Sequence, residues 1–125
     1  MQFSKVKTVP KKETIKALSL HTVNRPLFLK AKIWGIAGNH EEIILSKSEN
    51  TIPNKLEDYI FYTSEIFYKV ESDSQVVIYA PESVISEPLN KMSNVIIKSL
   101  TNADDVRDYS INHLKYGLQR ISVYK

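Results

Sequence analysis

The chain has 125 residues, of which 42% are hydrophobic and 25% charged, and its formal net charge is +3. These proportions are ordinary for a folded protein and exclude a disordered chain, while the length fits a single domain. The absence of cysteine from the sequence excludes disulfide frameworks, thiolate zinc sites and cysteine nucleophiles. No apolar run approaches the roughly 18 residues of a membrane span, and no secretory signal opens the chain, so we expect a cytoplasmic protein without a membrane partner.

Charge is distributed unevenly along the sequence. Residues 1–34 hold eight Lys or Arg and one acid, a net charge of +7, whereas residues 35–125 carry a net charge of −4. We therefore predict a basic arm over residues 1–12, followed by one domain over residues 13–125. A basic cluster attracts polyanions such as nucleic acid, and the alternative is a solvated arm that only aids solubility. The residues predicted to contact nucleic acid are Lys5, Lys7, Lys11, Lys12, Lys16 and Arg25.

Three strands are predicted in the first half of the chain, because apolar residues alternate there with polar ones. They span Thr14–Val23, Leu27–Ile36 and Glu41–Ser46, and a turn at residues 37–40 joins the last two. Together they are expected to form an antiparallel meander. In the second strand, one face is predicted to carry Leu27, Leu29, Ala31 and Ile33, and the other Phe28, Lys30, Lys32 and Trp34.

The second half of the chain is predicted to alternate helices with strands. A helix is predicted over Asn54–Val70, because apolar residues follow a helical spacing and Asn54-x-x-Glu57 is a capping signature. The later elements are a strand over Gln75–Tyr79, a short helical or irregular segment over Pro81–Met92, a strand over Asn94–Ile97, a helix over Asp104–Leu118 and a short strand over Ile121–Tyr124. The order β-β-β-α-β-α-β-α predicts an α/β (α+β) fold with one mixed sheet of about five strands, Val76–Tyr79 lying parallel to the first.

This order resembles the ribonuclease H-like fold family. Trp34-Gly35 matches an aromatic-glycine pair of the family, Asn54–Glu57 matches the opening of its first helix, and Val76–Ser83 matches its fourth strand. Asn102–Asp108 matches the loop into its last helix, so the resemblance covers about residues 14–118. It implies a nucleic-acid enzyme whose carboxylate cluster holds two Mg²⁺ ions.

The carboxylates that the resemblance implies are only partly present. The acid of the family's first helix corresponds to Glu57, and that of its last helix corresponds to Asp105. With a small shift in the alignment, Asp104 or Asp108 would correspond to the acid of the last helix instead. These residues are the predicted catalytic remnants of a degenerate site.

The two acids at the central strand ends are missing. The first position falls in residues 19–23, where His21 stands, and the second falls at Ala80-Pro81, with Glu82 one or two residues late. Without these ligands the chain is expected to hold no two-metal centre, and no cofactor beyond a weakly bound Mg²⁺.

Local explanations compete with a catalytic role. Glu57 stands three residues after Asn54 and Asp105 three after Asn102, so we favour helix capping for both carboxylates. The three histidines lack metal-ligand spacing, so no zinc site is expected. The first predicted helix carries five aromatic residues: Tyr59, Phe61, Tyr62, Phe67 and Tyr68. We interpret them as part of the core and as a surface that contacts a partner protein. Stacking of nucleic-acid bases on the outer rings is the second interpretation.

Three functions follow from these observations. The leading hypothesis is a catalytically degenerate ribonuclease H-like domain, without enzymatic activity, that binds nucleic acid or a nucleic-acid-processing protein. The second is an active, divergent metal-dependent nuclease that uses Glu57 and Asp105, with Glu82 or Asp73, around one Mg²⁺. The third is a small phage or mobile-element protein that binds and inhibits a host protein.

Overall fold

The computed structural model of the chain describes residues 12–18, 27–34, 40–49, 53–71 and 75–123. Within these residues it contains nine β-strands in two sheets and one α-helix. The predicted α/β architecture, in which one mixed ribonuclease H-like sheet carries the helices, is therefore wrong. In chain order the elements are β1 (Lys12–Leu18), β2 (Leu27–Trp34), β3 (His40–Ser46), β4 (Tyr59–Phe61), β5 (Glu65–Glu71), β6 (Gln75–Pro81), β7 (Ile85–Ser86), β8 (Val95–Leu100), α1 (Ala103–Asn112) and β9 (Gln119–Ser122).

The first sheet contains five antiparallel strands in the order β1-β2-β3-β4-β7. The predicted meander of the first three strands is confirmed over the described residues; the ends predicted at 19–23 and 35–36 lie outside them. The predicted alternation along β2 is also confirmed, because its apolar set faces the core. That set is Leu27, Leu29, Ala31 and Ile33.

The helix predicted over Asn54–Val70 is wrong. A turn at residues 55–57 leads into β4, and residues 62–64 separate β4 from β5. Both strands are rich in aromatic and β-branched residues, which favour extended backbone. All of β4 and the centre of β5 are buried on both faces. A strand buried on both faces does not alternate apolar with polar residues, so its apolar positions also fit the spacing expected of a helix.

The second sheet has the order β8-β6-β5-β9. Strand β5 pairs antiparallel with β6 and β9, whereas β6 pairs parallel with β8. The prediction that Val76–Tyr79 lies parallel to the first strand is therefore wrong, because these residues belong to another sheet. The connection from β6 to β8 contains a 3₁₀ turn at Glu82–Val84 and strand β7, which crosses to the first sheet.

The helix predicted over Asp104–Leu118 is confirmed for the part that α1 covers and wrong beyond it. After α1 the backbone makes further turns that end at Gly117, whose φ of 74° lies in the left-handed region that glycine adopts without strain. The Leu118 N–H then donates to the His113 carbonyl at 2.9 Å, and the Leu118 side chain is buried. Across the described residues, no helix has both the length and the apolar character needed to span a bilayer.

The two sheets share one hydrophobic core. Side chains from the facing sides of both sheets form a single cluster of buried residues. The first sheet contributes Leu18, Leu27, Leu29, Ala31, Ile33, Ile43, Leu45, Tyr59 and Phe61, and the second Ile66, Tyr68, Val76, Ile78, Ala80 and Ile121.

The other face of the first sheet carries buried charges. Lys30 is 0% exposed, and its Nζ donates to the Ser48 carbonyl at 3.2 Å. On the neighbouring pair of the β2–β3 register, Lys32 Nζ lies 3.6 Å from Glu42 Oε2, and both side chains are at most 10% exposed. Lysine and glutamate are rarely buried without such partners.

Candidate binding cleft

Helix α1 lies on the outer face of the second sheet, and aromatic rings hold it there. Tyr109 packs against Tyr79 of β6 with ring centroids 5.2 Å apart, and His113 stacks on Phe67 of β5 at 5.0 Å. The helix begins at a standard cap, since Asn102 Oδ1 accepts the Asp104 N–H at 2.7 Å. Although it is anchored in this way, α1 has no buried residue.

Between α1 and the sheet lies a cleft of about 410 Å³. We call it the α1 cleft. Its floor is formed by side chains of the second sheet, and its wall by one side of the helix. Its apolar lining includes Phe67, Tyr79, Pro81, Leu100, Val106 and Ile111, and its polar lining includes Thr63, Ser64, Glu65, Arg107 and Ser110.

The polar side chains at the cleft form exposed ion pairs. Glu65 accepts from Arg120 Nη1 and from Ser110 Oγ, both at 3.4 Å. On the helix, Arg107 Nη1 donates to Asp104 Oδ1 at 3.3 Å. Ion pairs as exposed as these contribute only about 0–1 kcal/mol each to the free energy of unfolding. The side chains at the rim of the cleft can therefore change partners at little cost.

Large apolar side chains continue from the cleft onto the surface. Ile111 lines the cleft and is 71% exposed, and Leu114, one turn further on, is 78% exposed. The spacing in the sequence predicts that Val106, Tyr109, His113 or Leu114, and Leu118 lie on one helical stripe. In the structure Tyr109 and His113 are half-buried against the sheet, Leu118 is buried beyond the end of α1, and Leu114 is in solvent, so the predicted stripe is only partly formed.

Near the C-terminal end of α1, one carboxylate accepts hydrogen bonds from two side chains. Asp108 accepts from the Tyr116 hydroxyl and from Asn112 Nδ2, each at 2.7 Å. The Tyr116 ring also stands edge-on to Tyr109, with centroids 5.3 Å apart. The hydrogen bond from Tyr116, followed by that from Asn112, lowers the pKa of the Asp108 carboxyl below its ordinary value. The same bond to Asp108 raises the pKa of the Tyr116 hydroxyl.

These shifts predict how the end of α1 responds to pH. Replacing Tyr116 by phenylalanine should raise the pKa of Asp108, because the strongest donor to its ionised form is removed. In the unmodified protein the contribution of this carboxylate is present above the ordinary carboxyl pKa and is lost as the pH falls through the lowered pKa. A carbon-13 NMR titration of the Asp108 carboxyl measures the change, with Tyr62→Phe as control, since Tyr62 is also exposed but follows β4 in the first sheet. An unchanged titration in the Tyr116 variant would contradict the assignment.

The two predicted catalytic carboxylates lie on separate elements. Glu57 is exposed in the turn before β4, in the first sheet, and Asp105 is exposed in the first turn of α1. Asp105 lies in the first turn of α1, where an acidic residue favours the helix, whereas the bond back to Asn54 predicted for Glu57 is made by Asp58. Asp58 Oδ2 accepts the Asn54 N–H at 2.8 Å and the residue is buried, which sequence spacing alone does not reveal.

No metal centre is formed within the described ranges, since they contain no group of three His, Asp or Glu residues that could hold an ion. Of the predicted nucleic-acid contacts, Lys16 is exposed on β1, with Nζ 6.0 Å from the centroid of the Tyr68 ring. For Lys12 the structure describes only the backbone, in β1. The other predicted contacts, Lys5, Lys7, Lys11 and Arg25, lie outside the described residues.

The predicted set of aromatic residues divides between the core and the surface. Tyr59, Phe61, Phe67 and Tyr68 are buried, and Tyr62 is 49% exposed. The rings that anchor α1 are only partly predictable, because the contact of Tyr79 with Tyr109 depends on which sheet β6 joins. Comparisons of the chain with family models, curated proteins and solved structures find no match.

Proposed function

We propose that this chain is a small binding module that holds an apolar side chain of a partner protein in the α1 cleft. The observation that carries the proposal is that α1 buries none of its residues and yet lines an apolar cleft of about 410 Å³. A cavity of that size is within the range of pockets that receive ligands in proteins. The exposed Ile111 and Leu114 extend this apolar surface beyond the cleft, as is typical of interaction sites.

The charges around the cleft favour a partner segment that carries a basic residue. Asp104 and Asp105 are exposed in the first turn of α1, and Arg107 is engaged by Asp104. Glu82 lines a smaller recess that shares Leu100 and Val106 with the cleft. A Lys or Arg next to an apolar anchor would find Asp105 and Glu82 near the cleft, while Asp104 is paired with Arg107, and opposite charges increase association rate and specificity.

Selection from a library of random peptides tests the proposal. Enriched peptides are expected to share an apolar or aromatic anchor with an adjacent basic residue. Ile111→Gln should weaken their binding at least about tenfold, because one wall of the pocket becomes polar and central anchors carry most of the binding energy. Fluorescence polarisation of a labelled peptide measures the affinity.

Leu89→Gln provides the matched control, because Leu89 is 79% exposed, in the loop before β8, and does not line the cleft. It should change the affinity by less than about twofold. Failure to enrich any peptide, or an equal loss in both variants, would refute the proposal.

Nucleic acid is a second candidate partner, and the net charge of +7 on residues 1–34 favours it. If this charge neutralises phosphates, replacing Lys5, Lys7, Lys11 and Lys12 by Gln should weaken binding to RNA or DNA. The slope of affinity against salt should flatten by roughly 0.7–0.9 for each phosphate that is no longer neutralised. A filter-binding assay at several salt concentrations measures both quantities, and unchanged values would leave the lysines as solubilising charge.

A further inference from the structure

Strand β8 lies at one edge of the second sheet as formed by the described residues. It pairs with β6 on one side, and among the described residues no strand pairs with it on the other. The connection that precedes it is fixed to the first sheet, because the Met92 N–H donates to the Tyr59 hydroxyl at 3.0 Å. A groove of about 550 Å³ runs beside the strand and is lined by Val95, Ile97 and Ser99 together with residues of that connection.

The register shows which backbone groups this edge offers. The Val76 N–H donates to the Asn94 carbonyl at 2.9 Å, so every second residue from Asn94 onward points its backbone groups toward β6. The backbone N–H and carbonyl groups of the alternate residues, Val95, Ile97 and Ser99, consequently point away from β6. The Val95 N–H is used locally by the Met92 carbonyl, whereas the outward groups of Ile97 and Ser99 have no backbone partner among the described residues.

The three other sheet edges are less suited to pairing. Strand β1 carries Lys12, Glu13 and Lys16 within seven residues, and charged residues discourage edge-to-edge contact. Strand β7 is only two residues long, and β9 has four residues, with Gln119 and Arg120 exposed. The six residues of β8 contain one charge, Lys98, and no proline or glycine.

We propose that β8 pairs with β8 of a second copy of this chain, antiparallel about a two-fold axis at Ile97. In this register Ile97 faces Ile97 of the second copy, and the two exchange reciprocal N–H to carbonyl bonds. Each Ser99 N–H donates to the Val95 carbonyl of the other copy. Each Lys98 faces Ile96 of the other copy, so no like charges stand opposite one another, and a continuous sheet joins the two molecules.

The side chains beside the edge are complementary in the same arrangement. Lys91, Glu82 and Glu87 line the groove, and Lys91 Nζ lies 3.7 Å from Glu87 Oε1 of its own copy in an exposed pair. Lys91 precedes β8, and Glu82 lines a recess with Leu100, the last residue of β8. An antiparallel pair therefore brings Glu82 of each copy toward the exposed Lys91–Glu87 pair of the other, so that each Lys91 lies between two carboxylates, which favours a second copy of this chain over an unrelated strand.

The expected dimer is weak. A six-residue strand offers little area beside the roughly 1,600 Å² of a standard interface, so we expect a dissociation constant on the order of 10–100 μM. Sedimentation equilibrium over that concentration range measures it. This contact uses the edge of the second sheet, whereas the peptide selection probes the α1 cleft, so the two experiments can fail separately although Glu82 adjoins both surfaces.

Cysteine substitution tests the register, because the natural chain has no cysteine. In the proposed dimer, Ile97→Cys places one thiol from each copy on directly opposite residues. Their Cα atoms would lie about 5.5 Å apart, a distance that a disulfide can bridge. Ser99→Cys lies on the same edge and is more exposed, but its two copies would be separated by roughly 13 Å. Oxidised glutathione should yield covalent dimer at least about ten times faster for Ile97→Cys. Equal rates would overturn the proposed register.

Proline substitution tests the hydrogen bonds. Ser99→Pro removes an outward N–H that β6 does not use, a position where edge strands tolerate proline, and should raise the dissociation constant at least about tenfold. Ser99→Ala keeps the N–H and should leave the constant unchanged. A monomer at all concentrations, or an unaltered dimer in the proline variant, would overturn the proposal. If circular dichroism shows that the proline variant is unfolded, the relative cross-linking rates decide.

Discussion

Replacing Glu42 by leucine should lower the free energy of unfolding by up to about 3 kcal/mol, because it removes the Glu42 carboxylate from beside the buried ammonium of Lys32. The two groups lie 3.6 Å apart on adjacent strands, and their side chains are 8% and 10% exposed. An exposed pair of the same geometry would contribute at most about 1 kcal/mol. Urea denaturation followed by circular dichroism measures the difference.

A double-mutant cycle separates the pair from its surroundings. Glu42→Leu combined with Lys32→Met removes both charges and keeps apolar volume between the strands. The double variant should be more stable than Glu42→Leu alone by at least about 1 kcal/mol, because replacing a whole buried pair costs less than breaking it. Lys69→Met is the control, since Lys69 pairs with Glu71 but is 34% exposed, and it should cost less than about 1 kcal/mol. A double variant less stable than the single one would show that the lysine has a structural role apart from Glu42.

Phe61→Ala should destabilise the protein by about 3–5 kcal/mol, because it opens a cavity in the shared core. Phe61 is 0% exposed and stands opposite Ile43 on one side and Ile85 on the other. Its chain neighbour, Tyr62, is 49% exposed and is held by its backbone N–H to the Val84 carbonyl. Tyr62→Ala should therefore cost less than about 1 kcal/mol. Similar losses for both variants, measured by urea denaturation with an unchanged slope, would contradict the orientation of β4.

The first half of the fold could be predicted because its strands alternate. In β2, every second residue is apolar and faces the core, so Leu27 and Leu29 identify the inner face without any knowledge of the partner strands. The burial of the opposite face could not be predicted in this way. Lys30 and Lys32 are strongly polar, and a solvated face is the ordinary expectation for such residues.

The second half could not be predicted, for a physical reason. In β5, Ile66, Phe67 and Tyr68 are all buried, since one face meets the core and the other is covered through the stacking of His113 on Phe67. Such a run carries no period of two, and its apolar positions fit a helical spacing as well. A helix over this segment implies alternating helices and strands after it, so one misassigned element changes the whole predicted fold.

The candidate site could be predicted only in part. The stripe that includes Tyr109 of α1 and His113 just after it is visible in the sequence, because these residues follow a helical spacing. The cleft itself depends on Phe67 and Tyr79, which come from strands that pair only in the folded chain. Spacing along a sequence does not reveal such a pairing, so the resemblance that singles out Glu57 and Asp105 selects residues on different elements.

The pairing of β5 with β9 imposes an order on the assembly of the nascent chain. Glu65 pairs with Ser122 and Ile66 with Ile121, so β5 has only its β6 neighbour until β9 has been synthesised. During that interval the nascent chain presents one edge of β5, including Phe67 and Tyr68, without a partner. Closing so distant a contact is slow, and exposed apolar edges are where aggregation begins and where chaperones bind. Slowing synthesis between β5 and β9 should therefore lower the yield of folded protein more than slowing it before β5.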